Sequence, residues 1–204
     1  MCYNSTISLN TFIFGIISIM ILYKYGKNVI KPKFLLLILL FSLIQLLEYF
    51  AWIYINNKKI IEILSKIGLV IIGLQIIFIN YFLLDNEIRL YSFIIMLILF
   101  ILFVIFELPK INFDMKKGNN GHLIWHWLDL PVIWIIIGLS FYIIPLLLYK
   151  EKIAFIGVSI ILIISIYNYY KYKTWGSMWC YFSNIIWIYL IILLFKKKVQ
   201  LTNL

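Results

Sequence analysis

Apolar residues along the chain fall into seven long runs, near Ile7–Tyr23, Phe34–Ile55, Ile60–Leu84, Leu90–Leu108, Leu130–Tyr149, Ile153–Tyr170 and Ser177–Phe195. The short stretches between them hold most of the lysines. An α-helix of about 20 residues crosses the roughly 30 Å hydrocarbon core of a bilayer, and each run is near that length. Lipid offers no partner to a free backbone amide, so each run is expected to be a helix that bonds within itself. The pattern predicts an all-α fold, a polytopic membrane protein built as a bundle of seven transmembrane helices. No linker or shift of composition interrupts it, so residues 1–204 read as a single domain with spans at about 7–23, 34–55, 60–84, 90–108, 130–149, 153–170 and 177–195.

Composition agrees with that class. Hydrophobic residues make up 65% of the chain, charged residues only 13%, and mean hydropathy is +1.04. A soluble domain has about 25% charged residues, so too few polar side chains exist here to cover a globule. The formal net charge of +10 would suggest nucleic acid in a soluble protein. No nucleic-acid motif accompanies it, and lysines that flank membrane helices meet anionic lipid headgroups instead. The expected partner is the lipid bilayer; oligomeric state is not legible. Two cysteines give neither a disulfide framework nor a zinc spacing of their own.

No charge precedes the first run, and Lys24, Lys27, Lys31 and Lys33 follow it closely. That order fits a retained helix rather than a cleaved signal. With seven crossings, ten of the basic residues fall on the side of the carboxy terminus and eight on the other. Because the first helix usually dominates orientation, the amino terminus is expected outside or in a lumen and the carboxy terminus in the cytoplasm. The longest connection, Pro109–Asp129, then lies outside; Lys116–Gly121 reads as a turn and His122–Asp129 as a short interfacial helix. Pro145 lies deep enough in the fifth span to kink it.

Ionisable groups inside a membrane are costly and mark functional candidates. Glu48 is the clearest: Gln45, Glu48 and Trp52 are spaced i, i+3, i+7 on one helix face, a face expected to look into the bundle. Its counter-charge could be Lys66, although a Glu62–Lys66 pair at i, i+4 competes and is favoured. His122, His126 and Asp129 would share one face of a helix, a spacing that can offer two imidazoles and a carboxylate to zinc; Trp125, His126 and Trp127 equally resemble an interfacial aromatic belt. Ser177, Cys180 and Asn184 form a polar stripe at the start of the last span. Small-residue packing, a Cys2–Cys180 disulfide in an oxidising compartment and a functional thiol are the three readings of that stripe. Gln75, Asn80 and Asn168 could add hydrogen bonds between helices. Under the predicted topology Cys2, Gln45, Glu48, Trp52, His122, Trp179, Cys180 and Asn184 line one polar pocket near the outer leaflet.

The same residues carry a resemblance. The opening Met1-Cys2-Tyr3-Asn4-Ser5-Thr6-Ile7-Ser8-Leu9 is similar to the Met-Cys-aromatic-Ser start of a family of small seven-span membrane proteins of bacteria and large DNA viruses. Gln45-Leu46-Leu47-Glu48-Tyr49-Phe50-Ala51-Trp52 resembles that family's Gln-x-x-Glu-x-x-x-Trp element. Gly121-His122-Leu123-Ile124-Trp125 resembles its Gly-His-x-x-aromatic segment, and Ser177-Met178-Trp179-Cys180-Tyr181-Phe182 its Ser-x-Trp-Cys-aromatic-Phe element. Asn4 and Tyr49 depart from the pattern, and His126 is not one of its positions. The resemblance implies the seven-span architecture and the outer cluster, with no particular activity, cofactor or substrate.

Retinal of the Schiff-base kind is excluded, because no lysine lies between Ser177 and Phe195. The expected function is binding or sensing of a small ligand or ion in the outer pocket. The alternatives are a membrane-embedded enzyme acting on a lipid-like substrate, with Glu48 as acid or base and Cys180 or Ser177 as nucleophile, and a structural protein of a cellular membrane or viral envelope.

Overall fold

Each apolar run closes its hydrogen bonds within itself, and polar residues mark the starts. The structure, a computed structural model, describes residues 4–27, 29–148 and 152–202, with side chains described except at 152–155 and 197–202. Helix α1 (Ser5–Tyr25) begins at Asn4, whose Oδ1 accepts from the Ile7 amide at 2.9 Å, a good N-cap. Helix α2 (Leu35–Ile53) follows a single turn opened by Pro32. Helix α3 (Lys58–Leu83) is capped by Asn57, and α4 (Asn86–Phe106) follows at once. After a long connection come α5 (Val132–Leu148), α6 (Lys152–Tyr169), α7 (Trp175–Phe182) and α8 (Asn184–Thr202). The last two form one broken rod, so the bundle has seven helices. Five are long and apolar enough to cross a membrane, while α5 and α6 are apolar but shorter.

Lipid does not drive helices together, so close packing and a few hydrogen bonds must. Helices α1 and α2 meet along a seam of small residues, with Ser8, Gly15 and Ser18 buried on α1 and Ser42 on α2. The Ser18 and Ser42 hydroxyls donate to carbonyls of their own helices at 2.8 Å, which leaves the seam without orphaned polar atoms. A Cβ at Gly15 would collide with the Ser42 side chain. Gly15→Leu is therefore expected to separate the two helices and lower stability by about 1–3 kcal/mol, readable as a reduced unfolding temperature in detergent. Helix α4 has no buried residue and lies at the periphery, presenting Leu97, Phe100 and Ile105 outward.

Asn80 holds α3, α4 and α5 together. Its Nδ2 donates to the Phe141 carbonyl of α5 at 2.9 Å, and its Oδ1 accepts from Ser92 Oγ of α4 at 2.9 Å. Gln75 likewise joins α3 to α5, its Oε1 accepting from the Tyr142 hydroxyl. Asn168, expected to bridge helices, instead donates to Ile164 of its own helix and is exposed. Helix α5 runs through Pro145.

The connection between α4 and α5 corrects the expectation of a turn followed by an interfacial helix. Lys116 and Lys117 belong to a strand, β1 (Met115–Lys117), paired antiparallel with β2 (Leu123–Trp125). Between the strands the Gly118 amide donates to the His122 carbonyl at 2.7 Å, and Gly121 takes φ 83, a conformation glycine adopts without strain. His126–Leu128 form one tight turn. Met115, Leu123 and Trp125 turn into the bundle, while Lys116 and Lys117 are exposed. Non-helical backbone is tolerated at such a place when it pairs internally and is buried in protein.

The hairpin end of the bundle

Three helices converge beneath the hairpin. Met115, Leu123, Trp125 and Trp127 pack in one core with Leu40, Ile44, Leu47 and Ala51 of α2, Ile61 and Ile71 of α3, and Cys180 of α7. Trp127, only 1% exposed, is among the largest side chains fully enclosed. Trp125 lies on Gly68 of α3, where a Cβ would approach its Cζ3 to 2.6 Å. Trp125 and Trp127 sit edge to face with centroids 5.3 Å apart. They are an enclosed plug, and the belt reading of these two residues is corrected: the hairpin carries them inward.

The expected face of α2 does look inward. Glu48 is 0% exposed and Gln45 is buried beside it on the same face. Gln45 Oε1 accepts from the Thr11 hydroxyl of α1 at 2.9 Å. Cys180 packs in the same core as Leu47 and Ala51, which flank Glu48 on α2, and this brings α2 and α7 together at this level. The nearer partner of Lys66 is settled in favour of Glu62, at 2.6 Å on the surface of α3. Cys180 is a buried free thiol, which corrects the disulfide reading; Cys2 lies outside the described residues.

The stripe on the last span is only half realised. Ser177 and Cys180 are buried, but the helix breaks at Ser183. There Ser183 Oγ donates to the Cys180 carbonyl at 2.6 Å and Asn184 Nδ2 to the Tyr181 carbonyl at 2.7 Å. Short polar side chains offer the backbone an alternative to the helical ladder, so Asn184 bonds backbone beside the break and leaves the predicted stripe. Trp179, adjacent to Cys180 in sequence, points to another core, edge-on to Tyr142 at 5.0 Å.

The proposed metal triad does not form. No group of three or more His, Cys, Asp or Glu placed to hold a metal occurs among the described residues. The reason is local structure: strand and tight turn replace the helix that would have aligned the three. His122 is 1% exposed and stands edge-on to Tyr169 at 5.4 Å. His126 lies near Lys116, Asp114, Asp129 and Lys173, and Asp129 forms a salt bridge with Lys173. Burial and, after it, Lys116 lower the pKa of His126.

Burial pushes His122 down from the ordinary 6.5 to about 4. Its imidazole is thus neutral when folded, whereas in the unfolded chain it takes up a proton below about pH 6.5. The unfolded state binds more protons in that window, so stability contributed by His122 is complete above it and is lost as pH falls toward 4. A loss of about 1–3 kcal/mol between about pH 7 and about pH 4 is expected in thermal unfolding. His122→Asn should flatten that dependence.

Sequence reasoning did not single out Ser65, buried on α3 one turn before Gly68, nor the enclosure of Trp125 and Trp127. Buried polar atoms normally find partners. Here the indole N–H groups of Trp52, Trp125 and Trp127 and the hydroxyls of Ser65 and Ser177 find none among the described residues. A second feature was also missed. Ile124, Trp125, Leu128, Asp129, Leu130, Ile135, Tyr170, Lys171, Lys173 and Trp175 line a cleft of about 190 Å³ between the hairpin, α5 and the α6–α7 junction. The hairpin is fastened there by Asn120 Nδ2 donating to Thr174 Oγ1 at 2.9 Å as well as by Asp129–Lys173.

Fold and polar core together define a multi-pass integral membrane protein. No protein-family model, curated protein or solved structure matches the chain.

Proposed function

We propose that the protein binds or senses a small ligand or ion at the hairpin end of the bundle. We also propose that this end faces the outside or a lumen, with the carboxy terminus cytoplasmic, and that the chain belongs with the small seven-span proteins it resembles. The observation that carries the reading is the set of buried donors without acceptors. Each orphaned buried group costs about 1–3 kcal/mol. Trp52, Trp127, Ser65 and Ser177 together would forfeit about 4–12 kcal/mol, comparable with the whole stability of a domain. Oxygen atoms from outside the chain remove that penalty, and the buried Glu48 carboxyl group adds polarity one turn from Trp52 on α2. A ligand that offers acceptors to the indoles and to the two serines suits this lining.

Denaturing the purified full-length protein and analysing what it releases by mass spectrometry tests the reading. A small molecule or ion at about one per chain, depleted in Ser177→Ala and Glu48→Gln, is the expected result. Release of water alone, with Glu48→Gln and Cys180→Ser changing only stability, would transfer the cluster to a structural role. The enzyme alternative draws on Cys180 packing against the level of α2 that carries Glu48 and on the Ser177 hydroxyl one turn away. It requires Cys180 to react with an alkylating reagent in the native protein, and a thiol that stays unmodified until unfolding would remove it.

A further inference from the structure

We propose that the cleft beside Trp125 is a binding site for the phosphate headgroup of an anionic phospholipid. This site is separate from the enclosed donors of the previous section and stands or falls independently of them.

Position is the first ground. The cleft lies where Tyr169 closes α6, Trp175 opens α7 and Val132 opens α5, the level at which apolar spans give way to the headgroup region. Tyr170 and Trp175 in its wall are the residue types that settle at that level. Its floor is apolar, formed by Ile124, Leu128, Leu130 and Ile135. Directly alongside, α5 presents Val132, Ile133 and Ile136 outward and α6 presents Tyr167. Exposed apolar side chains on the first turns of α5, the helix that gives the cleft Ile135, offer acyl chains a surface that a free phosphate would leave unused.

Charge is the second ground. Lys171 and Lys173 stand on the rim, and Lys116 lies near His126 on the hairpin. Asp129 is the one carboxylate among the lining residues, so Lys171 and Lys173 leave the lining one net positive charge. Asp129 is bound to Lys173, and among the described residues Lys171 forms no salt bridge. The lysine ammonium groups on the rim would hold the phosphate charge while the apolar floor, with Tyr170 and Trp175, receives the carbon atoms next to it.

The test uses the full chain in nanodiscs of phosphatidylcholine containing a minor fraction of phosphatidylglycerol, followed by native mass spectrometry of lipids retained after release. One phosphatidylglycerol per wild-type chain is expected. Retention should fall about fivefold for Lys171→Gln and further for the Lys171→Gln, Lys173→Gln double variant. It should rise in Asp129→Asn, which frees Lys173 from its competing carboxylate. Lys58→Gln with Lys59→Gln, a change of equal charge at the start of α3, should leave it unchanged. Equal retention in the double variant, or an equal fall in the α3 control, would overturn the site. Full displacement of the lipid by millimolar inorganic phosphate would also overturn it, by reassigning the cleft to a soluble anion.

Discussion

Trp127→Ala is expected to lower stability by about 3–5 kcal/mol, the range for removing a large buried aromatic side chain, and to loosen the hairpin from the bundle. The indole shares an enclosed core with α2, α3 and α7 residues. Hydrogen exchange should localise the damage: amides of Met115–Lys117 and Leu123–Trp125 lose protection while those of α1 keep theirs. Trp127→Phe separates two contributions. It keeps much of the packing area but removes the N–H, so a small stability loss combined with lost ligand retention would mark the N–H as the functional part.

A second large effect is expected at Asn80. Within a helix the Phe141 carbonyl would accept from the amide four residues later, and that residue is Pro145, which has no N–H. Asn80 Nδ2 of α3 supplies the missing donor at 2.9 Å. Asn80→Leu leaves both that carbonyl and the Ser92 hydroxyl without their partner inside the bundle, at a cost of about 1–3 kcal/mol. The explanation makes a sharper demand. Pro145→Ala restores a donor within α5, so the loss caused by Asn80→Leu should be smaller in that background. Non-additivity of about 0.5 kcal/mol or more in the four-variant cycle supports the link, and strict additivity denies it.

Much of the scaffold could be read from the chain because its signals are local. An apolar run in lipid can satisfy its backbone only as a helix, so the spans followed from hydropathy alone. The Glu62–Lys66 pair follows from i, i+4 geometry, and the inward face of Gln45 and Glu48 from the cost of showing a carboxyl group to lipid. The hairpin was opaque for the opposite reason. Its strands are three residues each, and their stability comes from pairing and from burial against α2, α3 and α7. The run His122–Asp129 carries helix-compatible spacing that tertiary packing overrides. Tryptophans in an aromatic belt and tryptophans in a buried plug have the same local sequence. Neighbours on a helix also diverge by about 100°, which is why Cys180 joins the hairpin core while Trp179 joins another. The break at Ser183 had a signal, Ser-Asn within an apolar span, that removes Asn184 from the predicted stripe.

The Asn80 bridge and the Gly15 seam bear on how the bundle holds together; the enclosed donors bear on what it does. A high-resolution experimental density map of the purified protein in lipid tests that claim most directly. The account predicts ordered non-protein density within hydrogen-bonding reach of the Trp52 and Trp127 indole nitrogens and the Ser177 hydroxyl. Indoles packed against carbon alone, with the hairpin seated as described and nothing between it and Glu48, would contradict it.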